Sequence, residues 1–234
     1  PNKIEQNIRH GLAESLKRLR LDRVDLFFLH SNIIPRDFDA SVYVTRPATR
    51  WSVYEEHFIP TCKKLVAEGK IGAWAITGIG VPECLLAALE LDDKPAAVQC
   101  IANLLDSPGD LKYFPGPSRA REIIAKTKSI GAGVLGIRAV QGGALTDAID
   151  RELPADHGVA TDYAKAADYR LLAKELGTTP AALAHRYALA IEGVDTVVLG
   201  CKNTTELQEC VTAEAQGPLE PEIIAQIDAS ISHS

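Results

Sequence analysis

The chain has 234 residues, 46% of them apolar and 24% charged, with a formal net charge of −6. This is the composition of a soluble globular domain. The charge provides no basic footprint for nucleic acid, and no apolar run approaches the ~20 residues of a membrane span. Five cysteines without CxxC spacing argue for scattered thiols in a reducing cytoplasm over a disulfide framework or a zinc site.

In chain order, helical and strand periods alternate. Ile4, Ile8, Leu12, Leu16 and Leu19 make a helical stripe over 3–20, with Asn2 and Glu5 spaced as a capping box. "VDLFFLH" is a short apolar run ending at His30, and it predicts a strand. A long polar loop over 31–50 follows, then a helix over 51–68 stopped by Gly69. Next come a strand at "IGAWAITGI", a helix at "PECLLAALE", a strand at "AAVQCIAN" and a helix at "SRAREIIAKTKSIG" closed by Gly131. "GVLGIRAV" predicts a fourth strand and "VDTVVLG" a fifth, separated by helices near 162–176 and 180–191. Helices near 204–215 and 221–232 end the chain.

Apolar strands alternating with amphipathic helices imply a parallel sheet covered by helices, either an open doubly wound sheet or a closed (β/α)8 barrel. No composition shift or Gly/Ser linker divides the chain, so residues 1–234 read as one domain. "GAGVLG" at 131–136 matches GxGxxG in letters only. A dinucleotide loop needs a strand before the glycines and a helix after them, and here the order is reversed. It reads as a glycine helix stop leading into a strand.

"AESLKRLRLDRVDLFFLH" resembles the helix-to-strand segment of the aldo-keto reductase family, approximately SLKRLGLDYVDLYLIH. "LVAEGKIGAWAITGIG" is similar to the family's LVxxGKVRxIGVSNF, and "AVQCIANLLD" to its VxQxxYNLL. "GAGVLGIRAVQGGALT" and "VDTVVLGCKNTTELQECV" resemble two further family segments in the same order. The resemblance implies a (β/α)8 TIM barrel of which this chain shows five strands, the fourth to the eighth, with chemistry at the C-terminal strand ends. It also implies about 80–100 residues upstream, by the size of such barrels. The start at Pro1 and the absence of methionine accord with that expectation. An open five-stranded sheet is the competing architecture.

The same resemblance implies roles for particular residues. His30 matches the histidine of the family's Asp-Tyr-Lys-His catalytic group, whose other members fall before the position matched by Pro1. Tyr43 is a conceivable substitute acid, with a surface tyrosine as its plainer reading. Thr77 and Gly78 occupy the Ser-Asn pair that holds the nicotinamide carboxamide, although Gly78 lacks an amide. Gln99 fits the family's carboxamide-binding Gln, and an amide inside an apolar strand otherwise needs partners for both its ends. Ile137 stands where many members stack Tyr on the nicotinamide. Arg138 could reach the pyrophosphate or pair with a neighbouring helix. Gly200 opens "GCKNTTELQEC", in which Asn203 is a helix cap and Lys202 a candidate for the adenosine phosphate. Glu206 lies where phosphate-binding members often carry Arg, Glu209 matches an adenine-contacting Glu, and Cys210 replaces the following Asn. A solvated charged helix face is the plainer alternative for this stretch. NADP or NAD are both left open as the cofactor.

His185, at helical spacing among apolar residues, reads as a helix contact. His10, His57, His157 and His233 read as surface. Asp162, Asp168, Lys165, Arg170 and Lys174 read as a charged helix face.

The expected function is cytoplasmic NAD(P)-dependent oxidoreduction of a small carbonyl, sugar or lactol, with specificity shaped by the 31–50 loop, including Arg36, Phe38, Tyr43 and Arg46. The alternative is a nicotinamide-binding regulatory or sensor barrel with little turnover. A barrel isomerase or aldolase using phosphate near Lys202 lacks a supporting Lys or Glu at a strand end. Without the upstream Asp, Tyr and Lys, the chain by itself is expected to bind weakly and not to turn over.

Overall fold

The computed structural model describes residues 3–39, 48–112 and 114–231. Asn2, Tyr43, Arg46 and His233 lie outside them. The first helix, α1 (Lys3–Leu19), buries Leu12 and Leu16 from its apolar stripe. It leads into β1 (Val24–Leu29). The loop expected over 31–50 instead contains two short parallel strands, β2 (Asn32–Ile34) and β3 (Ala48–Arg50). Helix α2 runs over 51–67, with a π-helical turn at Tyr54–Phe58. Strand β4 (Ile71–Thr77), α3 (Pro82–Ala88), β5 (Ala97–Ile101), α4 (Ala120–Ser129) and β6 (Gly133–Ile137) follow.

The helix expected over 162–176 starts earlier and is broken. His157 caps α5 (Gly158–Lys165) by accepting from the Val159 amide, and α6 (Ala167–Glu175) begins beyond Ala166. Then come α7 (Pro180–Ala190), the two-residue β7 (Thr196–Val197), α8 (Thr204–Ala215) and α9 (Pro221–Ala229). Gly131 takes φ +75° at the stop of α4, so the glycine-rich stretch does form a helix end entering a strand.

The main sheet is parallel throughout, in the order β1-β4-β5-β6-β7. A doubly wound sheet reverses its strand order at a switch point. Here each strand pairs with the next along the chain without reversal, as in one arc of a barrel wall. Register and alternation separate the two faces. Ile76, Val98, Cys100 and Val134 point outward and are fully buried against the helices, in one core with Leu85, Leu89, Ile123, Ile124 and Leu183. Each such aliphatic side chain contributes about 1.5–3 kcal/mol. The opposite face carries Leu26, Phe28, Gln99, Leu135 and Ile137, all only half-buried. Among the described residues, β1 and β7 each have a neighbour on one side only. The weak pairing of β7 explains why its strand is shorter than the apolar run predicts, and Val198 and Leu199 beyond it are exposed.

At the base of α1, the Glu5 carboxylate is largely buried and accepts from Lys64 Nζ at 2.8 Å and Arg9 Nε at 3.0 Å. These bonds, Lys64 first, hold its pKa below the ordinary Glu value of 4.5. A depressed carboxylate stabilises the fold above that value, and the contribution is lost as pH falls through the folded pKa. Thermal unfolding of Glu5→Gln and of the parent chain should therefore differ at neutral pH and converge in acid. A gap that persists in acid would show that Glu5 acts by packing alone.

Candidate functional site

The carboxyl ends of the parallel strands bring together residues that lie far apart in sequence. His30 directly follows β1, one step beyond the Leu29–Ile76 pair, which places it level with Thr77. Its side chain is exposed and has no hydrogen-bond partner among the described residues. Thr77 closes β4, is buried, and donates through Oγ1 to the Leu29 carbonyl at 3.2 Å. Gln99 pairs with Thr77 in register and shares its face. Its amide, half-exposed, has no protein partner among the described residues.

Gly78 has a structural requirement of its own. Its amide donates to the Gln99 carbonyl at 2.7 Å, and a Cβ at this position would lie 2.7 Å from that same oxygen. No side chain fits, so any contact from position 78 to a ligand comes from backbone alone. Gly78→Ala should cost about 1–3 kcal/mol through this backbone overlap, measurable by urea unfolding. A neutral result would mean that β4 and β5 separate freely there.

Ile137 ends β6 opposite Ile101 and packs on a small cap of Ile34, Ile79, Ile101 and Phe114. Its role in the structure is aliphatic packing. Arg138 directly follows β6 at φ +64°. Its guanidinium donates to Asp110 Oδ1 at 3.0 Å and to Gln141 Oε1 at 2.9 Å. Of the two roles open to Arg138, the structure shows an ion pair, made with a 3-10 turn (Gly109–Leu111).

That pair belongs to a buried polar network which the sequence pattern did not reveal. Asp162 Oδ2 accepts from Ser107 Oγ and from Gln141 Nε2, both at 2.6 Å, and Gln141 is fully buried. Asn103, also fully buried, accepts from the Leu105 and Ser107 amides and donates to the Ser107 and Arg138 carbonyls. The network ties the loops after β5 and β6 to α5. Asp162 is therefore no part of an exposed charged face. Arg170 of that expected face is also engaged, donating to the Tyr163 carbonyl and lying 3.7 Å from the Tyr163 ring centre.

Beyond β7 a cleft of about 480 Å³ opens at the start of α8, and Gly200, Lys202, Glu206, Glu209 and Cys210 all line it. Asn203 caps α8 by accepting from the Glu206 amide at 2.9 Å. Glu206 in turn accepts from the Lys202 amide at 2.8 Å. Lys202 Nζ donates to Asp150 and lies 3.5 Å from Glu206, and the Asp150 bond raises its pKa. Glu209 accepts from the Thr179 hydroxyl. His185 meets Cys210, with Nε2 3.2 Å from Sγ, and burial lowers its pKa. Asp147, Asp150, Glu206 and Glu209 thus face Arg151 and Lys202, four carboxylates against two cations. Among the described residues no three His, Cys, Asp or Glu side chains are grouped to hold a metal ion, and no helix is long and apolar enough to cross a membrane.

The model of the Aldo/keto reductase family matches residues 1–232. The chain belongs to that family. This aldo/keto reductase chain is 26% identical to L-galactose dehydrogenase from Arabidopsis thaliana over 96% of its own length. It spans 64% of the length of that relative. Among solved structures it resembles an aldo-keto reductase from Bacillus halodurans, with a TM-score of 0.69 and 22% identity to the apo form, over 98% of this chain and 70% of the other. For the holo form the values are 0.66 and 21%, over 98% and 68%. The sequential parallel arc is accordingly five strands of a (β/α)8 barrel fold.

Proposed function

We propose that this barrel face serves NAD(P)-dependent hydride transfer to or from a small carbonyl, sugar or lactol. Residues 1–234 form a single domain and supply its C-terminal part. The observation that carries the reading is the alignment of His30, Thr77 and Gln99 at one carboxyl edge of the sheet, with the cleft at the start of α8 following the carboxyl end of β7 in that same sheet. A nicotinamide dinucleotide, when bound, supplies the hydride.

The residues fit such a group at both ends. The unpartnered Gln99 amide has a donor and an acceptor to offer a carboxamide, with Thr77 beside it. Ile137 provides an apolar wall. At the other end, the Asn203-capped start of α8 and Lys202 bound the adenosine side, while Glu206 and Glu209 offer acceptors to hydroxyls. His30, exposed at its strand end, is placed to hydrogen-bond a substrate oxygen and to help move a proton to it. Turnover is proposed for the protein that also carries the Tyr, Lys and Asp which the resemblance sets ahead of Pro1. Cofactor binding is proposed for this chain. The relative acting on L-galactose favours a sugar-like substrate.

In that complete protein, His30→Ala should lower kcat by about 100-fold and leave cofactor affinity unchanged. The check is NADH consumption or formation over a panel of carbonyls and sugars. Full activity without His30 would remove its role. The departures from the family pattern at Gly78, Ile137 and Cys210 keep the sensor reading as the second one. Tight cofactor binding with no turnover on any substrate would favour it.

A further inference from the structure

The cleft holds a thiol pair that hydride transfer does not use. Cys201, on the loop before α8, is the only exposed cysteine of the five. Cys210, buried in α8, has its Sγ 3.9 Å from Cys201 Sγ and 3.2 Å from His185 Nε2. A disulfide needs ~2.05 Å between sulfurs, so the pair must close by roughly 2 Å. Residues 198–205 are exposed throughout, so no packed layer holds the loop back. Among the described residues His185 Nδ1 is buried without a partner, and the ring's polar contact is with the Cys210 sulfur.

We propose that Cys201 and Cys210 are a redox modification site, closing to a reversible disulfide at the expense of hydrogen peroxide. The exposed Cys201 thiolate attacks the peroxide O–O bond and becomes a sulfenic acid, releasing water once the leaving oxygen is protonated. Cys210 sulfur then attacks Cys201 sulfur, its proton passes by way of His185 Nε2, and the sulfenic oxygen leaves as a second water. Two thiols and one peroxide give one disulfide and two waters. The sulfurs are oxidised by two electrons and the peroxide oxygens are reduced. A small dithiol reverses the step.

The remaining cysteines are protected. Burial pushes Cys62 and Cys100 up to about 12 and Cys84 up to about 11, and all three are buried. Cys210 is itself held up at about 11, chiefly by burial, which suits a resolving thiol over an attacking one.

Both sulfurs line the cleft, so closing them draws the loop bearing Lys202 onto α8 over Glu209. Resting on the proposed dinucleotide reading, this predicts that the oxidised chain binds NADH about tenfold more weakly than the reduced one.

The test treats the native chain with a small excess of hydrogen peroxide, blocks free thiols with N-ethylmaleimide and reads intact mass and peptides. The expected product has lost two hydrogens, links the Cys201 and Cys210 peptides, and reverts with dithiothreitol. In Cys210→Ser, Cys201 should stop at a sulfenic acid that dimedone captures; in Cys201→Ser neither product should form. Five thiols left free, a link to Cys62, Cys84 or Cys100, or a bond between two chains through Cys201 would overturn the proposal. NADH titration then compares the two states. Equal affinity would overturn the regulatory consequence. Failure of the reduced chain to bind NADH would overturn the dinucleotide reading and leave the disulfide result standing.

Discussion

Glu206→Arg is expected to shift nucleotide preference toward NADPH. In the structure Glu206 sits in the first turn of α8 beside Lys202, and the cleft around it carries four carboxylates against two cations. A 2′-phosphate brought there meets uncompensated negative charge. A free ribose hydroxyl can instead donate to a carboxylate. Parent protein should therefore bind NADH in preference to NADPH. An arginine at 206 removes one repelling charge and adds a planar fork suited to phosphate. One charge-assisted hydrogen bond contributes about 1.5–3 kcal/mol, so NADPH affinity should rise at least about tenfold, with NADH weakened or unchanged. Fluorescence titration with both nucleotides reads this directly. An unchanged ratio would mean that Glu206 does not face the adenosine ribose. Raising ionic strength should narrow the gap in the parent, because exposed charges are screened.

The second large effect concerns stability. Asp162→Ala should destabilise the fold by about 2–4 kcal/mol, because it removes the acceptor of the Ser107 hydroxyl and the shorter of the two acceptors of the fully buried Gln141 amide, leaving Gln141 Nε2 only Ser107 Oγ at 3.1 Å. Through Gln141 the loss reaches Arg138, whose guanidinium donates to that side chain and to Asp110. For a chain of this size the cost corresponds to a drop in Tm of roughly 5–15 °C. Asp162→Asn, which keeps the shape and one acceptor, should fall between. Urea unfolding with an unchanged slope would attribute the effect to the native network. A loss below about 0.5 kcal/mol, the range of an ordinary surface substitution, would restore Asp162 to an exposed charged face.

These two sites differ in how far the sequence disclosed them. The strand-end positions of His30, Thr77 and Gln99 were legible from strand period, whereas their proposed roles came only from the family resemblance. The helix start at Asn203 was legible because a capping Asn followed by a helix is a local signal, while the part assigned to its neighbours from Gly200 to Cys210 rested on the resemblance. Asp162 was not. Its partners Ser107 and Gln141 lie 55 and 21 residues away, and nothing in the pattern of α5 marks it as buried. Arg138 left two roles open until Asp110, 28 residues earlier, was placed against it.

The fold follows the same division. The five-strand parallel sheet was read from alternating periods and its place in a barrel from the resemblance, but β2 and β3 are three residues each and gain their order from tertiary contacts, pairing with one another while Ile33 is buried in the main core. The break between α5 and α6 at Ala166 and the shortness of β7 likewise come from tertiary surroundings and not from local propensity. The tight approach at Gly78 is of this kind too, because the oxygen that excludes a side chain belongs to Gln99 on the adjacent strand.

The central claim is that the carboxyl edge from His30 to the start of α8 holds a nicotinamide dinucleotide. Amide hydrogen exchange with and without NADH tests it most directly, since it reports both binding and place. The expected result is saturable protection of residues 200–206 and of the end of β4 near Thr77, stronger with NADH than with NADPH. Exchange unchanged in both segments at saturating nucleotide would contradict it.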